Sequence, residues 1–183
     1  MAGTEKIVLG SGKVYIDEFT GTIPEDSTIE VEEKLLGLIQ GGATLTYTPT
    51  LYEAKDDLGL ISEKFLTDEI VVLKSGIMTL SGNTLEKLCS TARVTEDTAK
   101  HIRTVKIGGI GNHNGKKYVI HFVHTDKVDG NIRVTIVGNN EAGFELAFVK
   151  DKETVINTEF KAQPMDNEGT LILFREEDAS ITA

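Results

Sequence analysis

The chain has 183 residues, a formal net charge of −10, 39% hydrophobic and 26% charged residues, and three prolines without a low-complexity tract, the composition of one folded domain of ordinary globular type. The acidic surplus repels a phosphate backbone and so disfavours ordinary DNA recognition by Lys and Arg, although a non-adhesive acidic surface is compatible with DNA passing close by. Apolar runs such as residues 70–73 and 171–174 fall far short of the ~20 residues a spanning helix needs; the stretch MAGTEKIVLGSG has neither region of a signal peptide, and the single Cys89 permits no intramolecular disulfide, as expected for assembly in a reducing cytoplasm.

Along most of the chain hydrophobicity repeats at every second residue, the period of half-buried strands. Strands are expected at residues 6–9 and 13–19. PEDSTIEVEEKLLGL, residues 24–38, fits either a helical turn or a strand, and both remain open. In ATLTYTPTLYEA, Leu45, Tyr47, Pro49 and Leu51 fall on one face and Thr44, Thr46, Thr48 and Thr50 on the other. Pro49 cannot donate to a ladder, so this strand belongs at an edge or a bulge. A strand over residues 65–80 follows.

SGNTLEKLCSTARV breaks the alternation. Leu85, Leu88, Cys89 and Ala92 recur at helical spacing and Asn83 with Glu86 can form a capping box, which predicts one short helix over about residues 83–92 with its apolar stripe on a sheet. Further strands are expected at 101–107, 117–125, 131–137, 144–149, 154–162 and 170–176. GNNEAG (138–143) and QPMDNEG (163–169) are expected to be the loops of the last two hairpins, because Asn, Asp, Gly and Pro supply the required backbone angles. The expected fold is therefore mainly β, a β-sandwich or small barrel of antiparallel hairpins flanked by one short helix.

The sequence offers few chemical groups at useful spacing. His121 and His124 are three apart, which on a strand directs them to opposite faces and argues against a shared metal. His113 reads as a turn residue and His101 as a strand residue. GGIGNHNG (108–115) is followed by a strand pattern rather than the helix a phosphate cradle opens, so it reads as a mobile hairpin tip. DKVDGN (126–131) departs from the calcium-loop spacing and reads as a turn. Cys89 lies on the apolar helix face as a structural thiol. The acidic pairs Glu32 with Glu33, Asp56 with Asp57 and Glu176 with Glu177 read as solvated surface charge. No nucleophile elbow, zinc signature or phosphate loop is present, so no catalytic, cofactor or metal residues are assigned.

Residues 134–177, VTIVGNNEAGFELAFVKDKETVINTEFKAQPMDNEGTLILFREE, resemble the end of a tail tube protein, or major tail protein, of long-tailed bacteriophages and prophages. GFELAFV followed by TEFKAQPMDNEGTLILF carries most of the likeness. GSGKVYIDEFTGTIPED, GGATLTYTPTLYEAK, a long middle hairpin and TLEKLCSTA precede it in the family's order, so the likeness spans nearly the whole chain.

The resemblance implies one tail-tube domain over residues 1–183, without a further C-terminal immunoglobulin-like domain, on a fold shared with the tubes of contractile tails and type VI secretion. It implies a non-enzymatic virion protein whose hexameric rings stack into the hollow tube that conducts DNA during ejection. Its partners would be further copies of itself, the tail terminator, tape measure and baseplate or distal tail proteins, with DNA passing through the lumen without specific binding and no membrane. Assembly would take place in the bacterial host cytoplasm. By the same analogy, LYEAKDDLGLISEKF, residues 51–65, is the long loop that reaches the neighbouring ring, with Lys55, Asp56, Asp57, Leu58, Leu60 and Ile61 giving apolar anchors within a charged rim. The competing expectation is a ligand- or carbohydrate-binding β-sandwich, disfavoured by the absence of Trp and the presence of only four Tyr.

Overall fold

The computed structural model describes residues 12–126 and 130–178. Its elements are β1 (Lys13–Glu18), α1 (Asp26–Ile29), a 3-10 turn (Glu32–Lys34), β2 (Leu35–Gly37), β3 (Ile39–Lys55), β4 (Ser62–Ile77), α2 (Gly82–Leu88), β5 (Arg93–Asp97) and β6 (Ile102–Lys106). A second 3-10 turn (Ile110–Asn112), β7 (Tyr118–His124), β8 (Ile132–Asn140), β9 (Ile156–Gln163) and β10 (Leu173–Glu176) complete it. The fold is mainly β and every strand pairing is antiparallel.

The main sheet has the order β2-β1-β7-β8-β9-β4-β3, with β5 and β6 forming a separate ribbon. Only Leu38 separates β2 from β3, so the two edge strands of the sheet are continuous in the chain and the sheet is barrel-like in its curvature. Leu38 is pinned at this corner, its N–H donating to Thr79 Oγ1 at 2.8 Å and its carbonyl accepting from the Met78 N–H at 2.9 Å. Alternate residues of the strands fill the interior: Val14, Ile16, Leu36, Leu73, Ile120, Ile136 and Phe160 among them, with Leu85 and Leu88 of α2 packed against the same cluster. Outside the wall, Tyr15, Val119, Val123 and Val137 make a second core with Ile29 of α1 and Met165. Strands β7 and β8 are thus covered on both faces, the physical reason that YVIHFVH reads as a nearly continuous apolar run.

Several expectations require correction. The helix spans Gly82–Leu88 rather than 83–92, and its cap is Ser81, whose hydroxyl accepts from Thr84 N at 3.2 Å, not Asn83. Residues 144–149 form no strand: β8, their expected hairpin partner, is already flanked by β7 and by β9, and Phe144 and Leu146 alternate because they pack on the core. GNNEAG is therefore no hairpin loop. Strand β8 continues to Asn140, whose side chain donates to Gly143 O and Leu88 O and accepts from Glu159 N.

The final hairpin is also replaced by another arrangement. Gln163 lies opposite Val137 and Leu173 opposite Thr135, so β10 resumes the track of β9 beside β8, and residues 164–172 are an excursion from one broken strand. His101 sits in the β5–β6 turn at φ 54 rather than in a strand. GGIGNHNG carries a 3-10 turn and connects the ribbon to β7, two strands that do not pair, so it is not a hairpin tip. The open segment 24–38 holds both alternatives, a helical turn and then a short strand. Strand β5 was not anticipated. The strand expected at 6–9 and the centre of the turn at 126–131 lie outside the described residues.

Candidate assembly surface

Strands β3 and β4, of 17 and 16 residues, outgrow the barrel they belong to. Strand β9 pairs with β4 only from Val72 to Ile77, whereas the β3–β4 ladder continues out to Lys55 opposite Ser62. At ~3.3 Å per residue the ribbon beyond Val72 projects by about 30 Å. Pro49 stands in β3, at the sheet edge as expected, where its missing N–H interrupts no ladder to a further strand. One residue on, the register shifts between Thr50 and Leu51, and Thr67, skipped by the pairing, donates its hydroxyl to Thr50 O at 3.1 Å.

Beyond that bulge each face of the ribbon carries an uncovered apolar pair. Leu51 opposes Leu66 on one face and Tyr52 opposes Phe65 on the other, all four exposed. Such cross-strand pairs stabilise the ribbon by roughly 0.2–1 kcal/mol each but leave their outer surfaces in water.

The tip is a built turn. Ile61 N donates to Asp56 Oδ1 at 2.8 Å, Asp56 N to Ile61 O at 3.1 Å and Gly59 N to Asp56 O at 3.0 Å, while Gly59 takes the left-handed φ of 69° that closes it. The Ile61 amide holds the Asp56 carboxyl below its ordinary pKa. Around this frame Leu58, Leu60 and Ile61 are 80%, 79% and 73% exposed. All six residues singled out from the sequence are thus gathered at the tip, but in different roles. Asp56 shapes the turn, Lys55 pairs with Glu53 at 3.2 Å, and Asp57 with the three aliphatics faces outward. The loop expected over residues 51–65 is shorter than that: Tyr52 and Phe65 stand on the ends of β3 and β4, and the turn itself lies between Lys55 and Ser62. Sequence reasoning missed Leu66 as part of this surface; the signal was the alternation on a strand too long for the core.

A second polar constellation lies at α1. Glu30 Oε1 accepts from Arg133 Nε at 2.6 Å and lies 3.2 Å from His121 Nε2; Arg133 also reaches Glu177, and Arg175 grips both oxygens of Asp26. Thr135 Oγ1 lies 2.8 Å from His121 Nδ1. A neutral imidazole protonated at Nε2 donates to Glu30 and accepts from the Thr135 hydroxyl, satisfying both partners. Burial pushes the His121 pKa down, against the pull of Glu30. Glu177 is accordingly a held carboxylate rather than the solvated charge expected from EE. Asp26, Glu30 and His121 place one ligand atom each within 4.8 Å of one another, yet a cation there would have to displace Arg133 and Arg175 from the carboxylates.

Cys89, expected to be a structural thiol on the helix, follows α2 in extended conformation; it is half-buried and burial raises its pKa, which suits an inert thiol. The hollow between Gln40, Gly41, Lys74, Ser75, Asn157 and Glu159 is open and polar, unlike the enclosed apolar cleft typical of small-molecule sites. No family of known proteins and no curated protein matches the sequence.

Proposed function

We propose that this protein is a structural subunit that self-assembles through the β3–β4 ribbon, as in the hexameric, stacked rings of a phage tail tube that conducts DNA. The observation that carries the reading is the ribbon itself: two long strands with apolar pairs on both faces and three aliphatic side chains at the tip, making no core of their own. Exposed long edges and apolar patches of this kind promote pairing unless a partner covers them. A symmetric homo-oligomer covers them with a surface that every copy carries. The barrel-like sheet behind the ribbon supplies a base for it, and the resemblance of residues 134–177 to tail tube proteins supplies the kind of assembly.

Negative-stain electron microscopy and size-exclusion chromatography across a concentration series test the reading. Rings or hollow tubes are expected from the wild type. Leu58→Asp should keep the monomer's circular dichroism and melting temperature, because the side chain touches no core, and should abolish tube growth. Normal tubes from that variant, or a wild type that stays monomeric at every concentration even with tail-tip complexes present, would overturn it.

A further inference from the structure

The charge of the molecule is unevenly divided, and the division falls on two exposed ribbons. Residues 49–69 hold six acidic and two basic residues, a net charge of −4; residues 93–117 hold six basic and two acidic residues, a net charge of +4, in a chain whose total is −10. The second segment comprises the β5–β6 ribbon and the 3-10 turn after it, and it too exposes aliphatic side chains: Ile102, Ile107 and Ile110, the last 96% exposed.

Local pairing leaves both surpluses outward. Glu96 and Asp97, the acids of the basic segment, are matched to Arg103 at 2.7 Å and Lys100 at 3.2 Å. Lys116 is matched to Glu18 at 2.6 Å, so the excess rests on Arg93, Lys106 and Lys117. On the acidic ribbon Glu53 is matched to Lys55, and the excess includes Asp57 beside Leu58 at the tip. Within one copy the tip of the acidic ribbon is bare, so the basic ribbon does not cover it in cis.

Resting on the self-assembly reading, we propose that the β5–β6 ribbon and the Ile110 turn of one copy are the docking surface for the β3–β4 tip of a second copy. Leu58, Leu60 and Ile61 meet Ile102, Ile107 and Ile110, and the acidic flank faces Lys106 and Lys117. The aliphatic contacts supply the dry centre and the charges set register and exclude the like-charged alternatives of tip on tip or basic ribbon on basic ribbon. The contact is heterologous, head to tail, so it propagates from copy to copy instead of stopping at a dimer.

Cross-linking between two singly labelled proteins tests the contact directly. In a Cys89→Ser background, Leu58→Cys protein is mixed with Ile110→Cys protein under mild oxidation; both positions are exposed, so folding is retained and is checked by circular dichroism. A mixed disulfide dimer is expected at a level on the order of tenfold above either variant alone, weakened at high salt. Adding Lys106→Glu and Lys117→Glu to the Ile110→Cys protein should remove the gain, and Asp57→Lys with Glu63→Lys in the Leu58→Cys partner should restore it. Rings or tubes that form without this cross-link would overturn the docking assignment while leaving self-assembly standing. A chain that neither cross-links nor assembles would overturn both.

Discussion

His121 Nε2, on the buried strand β7, lies 3.2 Å from Glu30 Oε1, the residue that caps the end of α1. Burial lowers the pKa of this imidazole below its unfolded value although Glu30 and Asp26 favour the charged form; Arg175, nearby, opposes it, and the Tyr15 ring stands tilted to it at 6.4 Å between centroids. The unfolded chain thus takes up the proton before the folded one does. The contribution to stability is complete above the unfolded value of about 6.5 and declines as pH falls through that value toward the folded pKa. Melting temperature should fall between about pH 7 and pH 5 in the wild type, with a shallower slope in His121→Gln. Identical slopes would mean that His121 does not titrate in this window.

Arg133 joins Glu30 and Glu177, and its side chain is only 13% exposed. Leucine at this position would leave Glu30 facing His121 without its main cation. Because Glu30 keeps partial access to water, the expected loss is about 2 kcal/mol, less than for a fully buried pair. For a chain of this size that corresponds to a fall of roughly 4–8 °C in Tm. A double variant, Arg133→Leu with Glu30→Leu, should recover most of it, since no charge is then stranded.

How much of this was readable in advance depends on the range of the interaction. Leu45, Tyr47 and Leu51 alternate with threonines over a stretch that local pattern alone identifies as a strand, and Pro49 marks its edge. The tip residues Leu58, Leu60 and Ile61 stand out as aliphatics among charges for the same local reason. Phe144 and Leu146 alternate just as clearly, yet the strand that precedes them, β8, is already paired on both sides, and only the sheet order reveals this. The track shared by β9 and β10 was equally hidden, because Pro164, Asp166 and Gly169 announce a turn without saying whether the chain returns beside itself or resumes beside β8. His121, Glu30 and Arg133 come together across separations of 91 and 103 residues, beyond the reach of any spacing rule.

Gly138 marks the tightest crossing in the barrel wall. A Cβ at this position would stand 1.9 Å from Lys161 O. The obstacle is backbone, so no rotamer change relieves it and β8 must separate from β9. Gly138→Ala should destabilise by about 3 kcal/mol or more, in the range of severe overpacking, measured by urea denaturation. A loss under about 1 kcal/mol would show that the two strands part easily.

The ribbon beyond the barrel offers the sharpest separation of folding from assembly. Thr48 faces Ile70 in the ladder, so residues 49–69 can be replaced by the two-residue turn Asn-Gly without disturbing the register behind them. The side chains removed contribute nothing to either core cluster, and the shortened hairpin loses little beyond exposed cross-strand contacts. Its stability should stay within about 1 kcal/mol of the wild type. Solubility should rise as the exposed leucines, Tyr52 and Phe65 disappear. Rings or tubes should be absent at every concentration, and mixed with wild-type protein the shortened chain should stop growth, because it retains the basic ribbon that accepts a tip and has no tip to offer in turn. Unimpaired growth of a homogeneous shortened protein would place the assembly contacts on the barrel instead.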